Sequence, residues 1–270
     1  MAELQMTNKS LSIRVCSNGL SFCTYAPGRE APFEYKEVEL NHTISLAANL
    51  KDALLSEPLL KQDYQRVNVL IATPNFTTVP VAAFRKEDVQ TIYQFTFPKD
   101  KVQHVSYNVL RRSGIAIVFG LEKSVYQLLL DDFPRARFYA SASTLIEFFS
   151  ERSLLGRGRK MYAYLHEKEL TLYAFEQGRM LYVNTFASAG VADTQYYILN
   201  VWKELGFDQV DDALFIVSDR EQMAQELTDK MNYFLQSVAV IDRGEDFKDR
   251  ITHGQTLIPY DLQTLLVCGF

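Results

Sequence analysis

The sequence predicts an α/β protein of two similar halves, each built on a mixed sheet that opens in a β-meander and is flanked by helices. Three observations carry this. Apolar residues alternate with period two, broken by turn dipeptides, over residues 11–38 and again over 161–186. Each run is followed by helix-like and strand-like segments in turn. The two series share a register: an offset of 150 residues moves 11–15 onto 161–165, and Gly28-Arg29 onto Gly178-Arg179. Period two marks a strand with one buried face, and self-similarity at a fixed offset marks a repeated unit.

Leu11, Ile13 and Val15 alternate with Ser12, Arg14 and Cys16, and Leu20, Phe22 and Thr24 resume the pattern after Asn18-Gly19. Asn-Gly between such runs signals a hairpin whose two turn residues take positive φ. A two-residue turn there sets Val15 opposite Phe22 and Ile13 opposite Thr24. Pro27-Gly28 marks the next turn, and a third strand runs through Phe33, Tyr35 and Val38. Asn41 or Thr43 caps a helix over 44–55, with Leu46, Ala47, Leu50, Ala53 and Leu54 on one face. Residues 67–72 form a buried strand ended by Thr73-Pro74, and 86–93 a short helix. Strands 105–110 and 115–119 make a hairpin, and helices over 122–130 and 143–150 flank a strand at 137–140. The segment 151–160 holds Gly156, Gly158 and basic residues and reads as a linker. It sets the two halves at 1–155 and 156–270.

The second half opens with Met161, Ala163 and Leu165 alternating with Tyr162, Tyr164 and His166. A turn at Glu167-Lys168 leads into 170–175, and Gln177-Gly178 turns into 180–186, which sets Tyr182 opposite Tyr173. Tyr162, Tyr164 and Tyr173 share a face, read as core packing; left exposed, they would form an interaction surface. Asp193 or Thr194 caps a helix that Gly206 stops after Leu205. A strand at 213–217, a helix at 220–233 and strands at 237–241 and 264–267 complete the series.

Composition narrows the function classes. The net charge of −5 lacks the basic excess of a nucleic-acid binder. Three cysteines, Cys16, Cys23 and Cys268, build no disulfide framework and fit a reduced, cytoplasmic setting. No apolar stretch reaches the ~18 residues of a membrane span, so no direct insertion is expected. His42, His104, His166 and His253 lack the spacing of a zinc site. Asp242, Glu245, Asp246 and Asp249, and separately Asp211-Asp212, read as solvated loops. No G-x-S-x-G elbow occurs. The expectation is no catalytic residue, no metal and no cofactor.

The paired meanders and the turns Asn18-Gly19 and Gln177-Gly178 resemble the actin-like ATPase fold of the ribonuclease H-like superfamily. Over most of residues 10–270 the chain is similar to an uncharacterised bacterial family of unknown function with that fold. Leu70-Ile71-Ala72-Thr73-Pro74 followed by Val79-Pro80 is similar to the actin-like cytoplasmic subunits of pilus and type II secretion assemblies. The resemblance implies that the first hairpin of each half grips nucleotide phosphates, with an acidic residue to organise the metal and glycines to admit the phosphates. It also implies a glycine pair between a later strand and helix to receive adenosine.

The chain departs from this pattern at each place. Its first hairpin has Arg14, Cys16, Ser17, Asn18 and Gly19 and no aspartate. Its second has His166, Glu167, Lys168 and Glu169 and no glycine. Val217-Ser218-Asp219-Arg220 stands where the glycine pair belongs. Ribonuclease H-type cleavage also needs a first-strand aspartate, absent from Ile13-Arg14-Val15. The expected function is therefore a non-catalytic scaffold or protein-binding module whose partner is another protein. One alternative is a nucleotide-binding or ATP-hydrolysing protein that holds phosphate with Ser17, Asn18 and Gly19. The other is a cytoplasmic component of a membrane-associated assembly.

Overall fold

The computed structural model describes residues 9–218, 220–248 and 250–268. They fall into two compact units that divide between Ser143 and Thr144.

In the first unit, β1 (Ser10–Val15), β2 (Gly19–Tyr25) and β3 (Phe33–Glu39) form the meander. Helix α1 (Leu46–Ser56) leads to β4 (Arg66–Ile71), and α3 (Lys123–Asp132), which packs on α1, leads to β8 (Arg137–Ala140). The sheet order is β3-β2-β1-β4-β8, antiparallel through the meander and parallel from β1 outward. Between β4 and α3 the chain inserts β5 (Phe76–Pro80), α2 (Val89–Thr96), β6 (His104–Leu110) and β7 (Ile115–Leu121). These strands make a separate antiparallel sheet, β5-β7-β6, against which α2 buries Val89 and Tyr93 beside Val118. Asn108 of β6 ties this sheet to β8. Its Nδ2 donates to the Phe138 carbonyl at 2.8 Å, and its Oδ1 accepts the Ala140 N–H at 2.9 Å.

The second unit repeats the plan. Strands β9 (Lys160–His166), β10 (Glu169–Glu176), β11 (Arg179–Ala187), β12 (Ala213–Ser218) and β13 (Ser237–Val240) form a sheet in the order β11-β10-β9-β12-β13. Its pairing senses match those of the first sheet. The duplication read from the 150-residue offset is thus a duplication of topology. Helices α5 (Val191–Glu204) and α6 (Glu221–Met231) cover one face, where Met161, Ala163, Leu165, Leu172 and Ile216 meet Ile198, Trp202 and Leu227. The other face belongs to α4 (Ser141–Ser153), α7 (Arg243–Asp246) and α8 (Tyr260–Cys268). There the Phe149 ring stacks on Tyr162 at 4.3 Å and 6°, with Tyr173 and Tyr260 beside it. Helix α4, although N-terminal to the basic loop, therefore packs with the second unit. Tyr162, Tyr164 and Tyr173 are buried core residues.

Local chemistry explains several boundaries. Helix α5 ends in a Schellman motif: Gly206 takes φ +63°, Phe207 N–H reaches the Trp202 carbonyl, and the two rings meet at 4.9 Å. Gln177 and Gly178, at φ +45° and +81°, make the turn that their sequence announced.

Other expectations are corrected. The cap of α1 is Ser45, whose Oγ accepts the Ala48 N–H, while Asn41 Oδ1 closes its own turn onto Thr43. The α5 cap position is Gly190. Residues 264–267 are helical, in α8, because that segment packs against α4; Thr264 Oγ1 donates to Thr144 Oγ1 at 2.9 Å. Tyr182 sits opposite Ala174, since a bulge between Ala174 and Phe175 shifts the register by one. In the first hairpin Val15 faces Leu20 and Ile13 faces Phe22. The two-residue turn is Ser17-Asn18, and a slip of two residues keeps every side chain on its face, so the apolar pattern cannot detect it.

Candidate functional site

The residues that the resemblance assigns to phosphate and adenosine lie on the first hairpin of each unit and on the turn after β12. In the first unit, Cys16 closes the turn: its N–H and its Sγ both reach the Gly19 carbonyl, each at 3.1 Å. Ser17 and Asn18 are exposed at the tip, and Gly19 is buried as the first residue of β2. Gly19 is not among the residues with positive φ. A Cβ there would lie 3.7 Å from the Val38 carbonyl, 3.8 Å from Cys16 Sγ and 4.0 Å from Glu37 Oε1, all ordinary contacts. The glycine is not required by its backbone or by space. Gly19→Ala is expected to change stability by no more than about 0.5 kcal/mol, read from thermal unfolding.

Glu37 was not singled out by the sequence reading. It lies on β3 opposite Ser21 and brings a carboxylate beside the tip. The only available signal was its place among the alternating charges of the edge strand.

In the second unit, His166 pairs with Glu169 across the Glu167-Lys168 turn. Glu167 takes φ +53°, a left-handed conformation that favours glycine. Its side chain Oε1 is 3.3 Å from His166 Nε2, and the His166 ring lies parallel to Tyr164. Burial raises the Glu169 carboxyl above its ordinary pKa, and the Glu167 charge adds to this while His166 opposes it. From the turn after β12, Arg220 Nη2 donates to the Glu167 carbonyl at 2.6 Å. Arg220 is itself held by its N–H to Ser218 Oγ at 3.1 Å. The guanidinium thus bridges the second hairpin and the segment where a glycine pair was expected. Asp219 and Asp249 lie outside the described residues.

The acidic residues are more structured than expected. Asp246 pairs with Arg152 and accepts from the Tyr260 hydroxyl. Asp242 Oδ1 caps α7 at the Gly244 N–H. Asp212 is 3% exposed and takes both the backbone N–H and the guanidinium of Arg159, at 2.7 Å each. Arg159 also donates to the carbonyls of Leu205 and Gly206 and lies over the Phe207 ring. The end of the basic segment is therefore anchored.

Two cavities, of about 440 and 620 Å³, open on either side of Asp100 in the inserted region. Asp100 Oδ2 accepts from Tyr93 Oη at 2.6 Å and Asn75 Nδ2 at 2.7 Å, and Oδ1 from the Val102 N–H at 3.1 Å. Its lone pairs are engaged in holding the inserted sheet together.

The family described as "Protein of unknown function (DUF3822)" matches residues 2–238. A crystal structure from Bacteroides thetaiotaomicron VPI-5482, described as a protein with actin-like ATPase fold and unknown function, is 31% identical. The match covers 98% of each chain at a TM-score of 0.84. A structure of the PilM–PilN type IV pilus biogenesis complex is similar at 7% identity, covering 96% of this chain and 94% of that one, with a TM-score of 0.57. That likeness concerns the fold alone. No curated protein matches the sequence. The mixed α/β architecture is that of the actin-like ATPase fold, and no helix among the described residues is long and apolar enough to cross a membrane.

Proposed function

We propose that this chain, which belongs to the DUF3822 family of proteins of unknown function, is a non-catalytic actin-like scaffold that binds another protein. The observation that carries the reading is the Arg220 bridge to the Glu167 carbonyl. It ties down, with a protein cation and without glycine, the second hairpin, which the resemblance would assign to nucleotide phosphates. Taken separately, each hairpin carries a carboxylate, Glu37 beside the first and Glu167 on the second, that would repel a phosphate arriving there without a metal.

Calorimetry of the full chain with ATP and magnesium tests the reading. The expected result is no binding heat; a micromolar affinity overturns it. The position of Glu37 favours a second reading, in which that carboxylate replaces the missing aspartate and Ser17, Asn18 and Gly19 hold phosphate. Under that reading ATP binds, and Asn18→Ala abolishes the binding.

The partner proposed is a protein. A neighbour of the same fold is described in a complex, PilM with PilN. The cavities around Asp100 give this chain a concave surface for such a contact. The proposed setting is cytoplasmic, and a role at a membrane would come through a partner rather than through a helix of the described residues.

A further inference from the structure

An open sheet edge presents unpaired backbone groups and invites another strand. This chain protects its edges in different ways. Strand β3 carries Glu34, Lys36, Glu37 and Glu39. Strand β5 ends in Pro80. Strand β11 begins with Arg179 and carries a bulge at Leu181, opposite Ala174/Phe175. Strand β8 is covered by β6, whose Asn108 side chain takes the Phe138 carbonyl and the Ala140 N–H. Strand β13 holds in the second sheet the place that β8 holds in the first. Its sequence is Ser-Val-Ala-Val, with no charge, proline or bulge. Val240 is 41% exposed, and no described element pairs with its outer side. Tyr233 and Phe234, just before the strand, are 86% and 46% exposed and extend the apolar surface.

The direction of the free groups is set by the ladder. The Ile241 N–H donates inward to the Ile216 carbonyl at 2.8 Å. Successive residues of a strand aim their backbone groups to opposite sides, so those of Val238 and Val240 face away from β12. Two copies of this edge match when they run antiparallel about a twofold axis at Ala239. Val238 of each copy then exchanges both backbone bonds with Val240 of the other. The two valine pairs pack on one face, and Ala239 meets its own copy on the other. That central pair is of the non-hydrogen-bonded kind, where Cα atoms approach to about 4.5 Å and a small side chain fits best.

We propose that β13 is a self-association edge, pairing antiparallel with β13 of a second copy of this chain. The isologous geometry needs no other partner, because each copy supplies what the other lacks. The equivalent edge in the first sheet has its backbone groups at Phe138 and Ala140 taken by the Asn108 side chain of β6, whereas β13 has no such side chain among the described residues.

Sedimentation velocity on the full chain, up to roughly 100 µM, tests this, since dimer population follows protomer concentration. The expected species at the top of the range has twice the mass of the chain. Val240→Pro removes an outward N–H and no bond to β12, and Ala239→Lys sets two charges against each other at the axis. Each is expected to weaken association at least about tenfold, with thermal unfolding of the monomer little changed. As a second measurement, Ala239→Cys is expected to form a disulfide-linked dimer under mild oxidation, because the central Cα separation lies within disulfide reach. The parent chain, with its own free cysteines, serves as control. A single-chain mass throughout overturns the proposal. So does a dimer that both substitutions leave intact, or an edge occupied only when a different protein is added.

Discussion

Phe149→Ala is expected to destabilise the second unit by about 4 kcal/mol, at the upper end for a core substitution. Phe149 is fully buried, and its ring touches Tyr162, Tyr173 and Tyr260 on three different elements. Removing it opens a ring-sized cavity among side chains that are anchored elsewhere and cannot collapse inward. Trp202, the only tryptophan, lies in the core on the opposite face of the same sheet, so its fluorescence reports this unit. The urea midpoint followed at Trp202 should fall with an unchanged slope. Phe95→Ala, at a side chain 88% exposed, should leave it within about 0.5 kcal/mol. A Trp202 transition that ignores Phe149→Ala would mean that α4 is not part of the second unit's core.

Gly158→Ala is expected to cost more than about 3 kcal/mol, from steric overlap added to an unfavourable φ. Gly158 takes φ +75°, and an added Cβ would overlap the Asp211 carbonyl oxygen, a backbone atom that cannot rotate away. The strain would fall on the neighbouring Arg159–Asp212 pair, where a buried carboxylate depends on its cation. Gly156→Ala separates the causes: φ is +77° there, but nothing lies within 4 Å of the added Cβ. It should cost only the left-handed penalty of about 1 kcal/mol. Equal losses in the two variants, read from the same urea transitions, would show that the close approach to Asp211 does not matter.

These residues show how far the sequence could be read. The repeat was legible because small or aliphatic residues recur at every second position in both opening strands, at Leu11, Ile13 and Val15 and at Met161, Ala163 and Leu165; the expectation of a single buried face is corrected, since both faces of these strands are buried. The Gln177-Gly178 turn was legible because its two left-handed residues are a local requirement. The first hairpin was misregistered because a shift of two residues preserves every face. The run 264–267 was read as a strand because a short apolar segment has no decisive period, and contact with α4 makes it helical.

The candidate site divides in the same way. Ser17 and Asn18 form the turn of the first hairpin and Gly19 opens β2, and their neighbours in sequence exposed the missing aspartate. Glu37, Arg220 and Asp212 gained meaning only from their partners. Arg220 meets Glu167 across 53 positions of chain, and Asp212 meets Arg159 across the same separation. No periodicity encodes such a pairing, because a single charged residue reads as solvated until the fold shows what it faces.

By itself, then, the sequence determined two repeated mixed sheets that each open in a meander, and first hairpins that lack the aspartate or the glycine that the resemblance leads one to expect. Those properties depend on neighbours along the chain, through alternation, turn conformation and residue type. The tertiary structure alone decided that α4 completes the second core, that Arg220 bridges the second hairpin, and that β13 has no neighbour on its outer side among the described residues while β8 has one. Each of these depends on which distant surfaces meet, and burial and backbone pairing are settled only when the chain has folded.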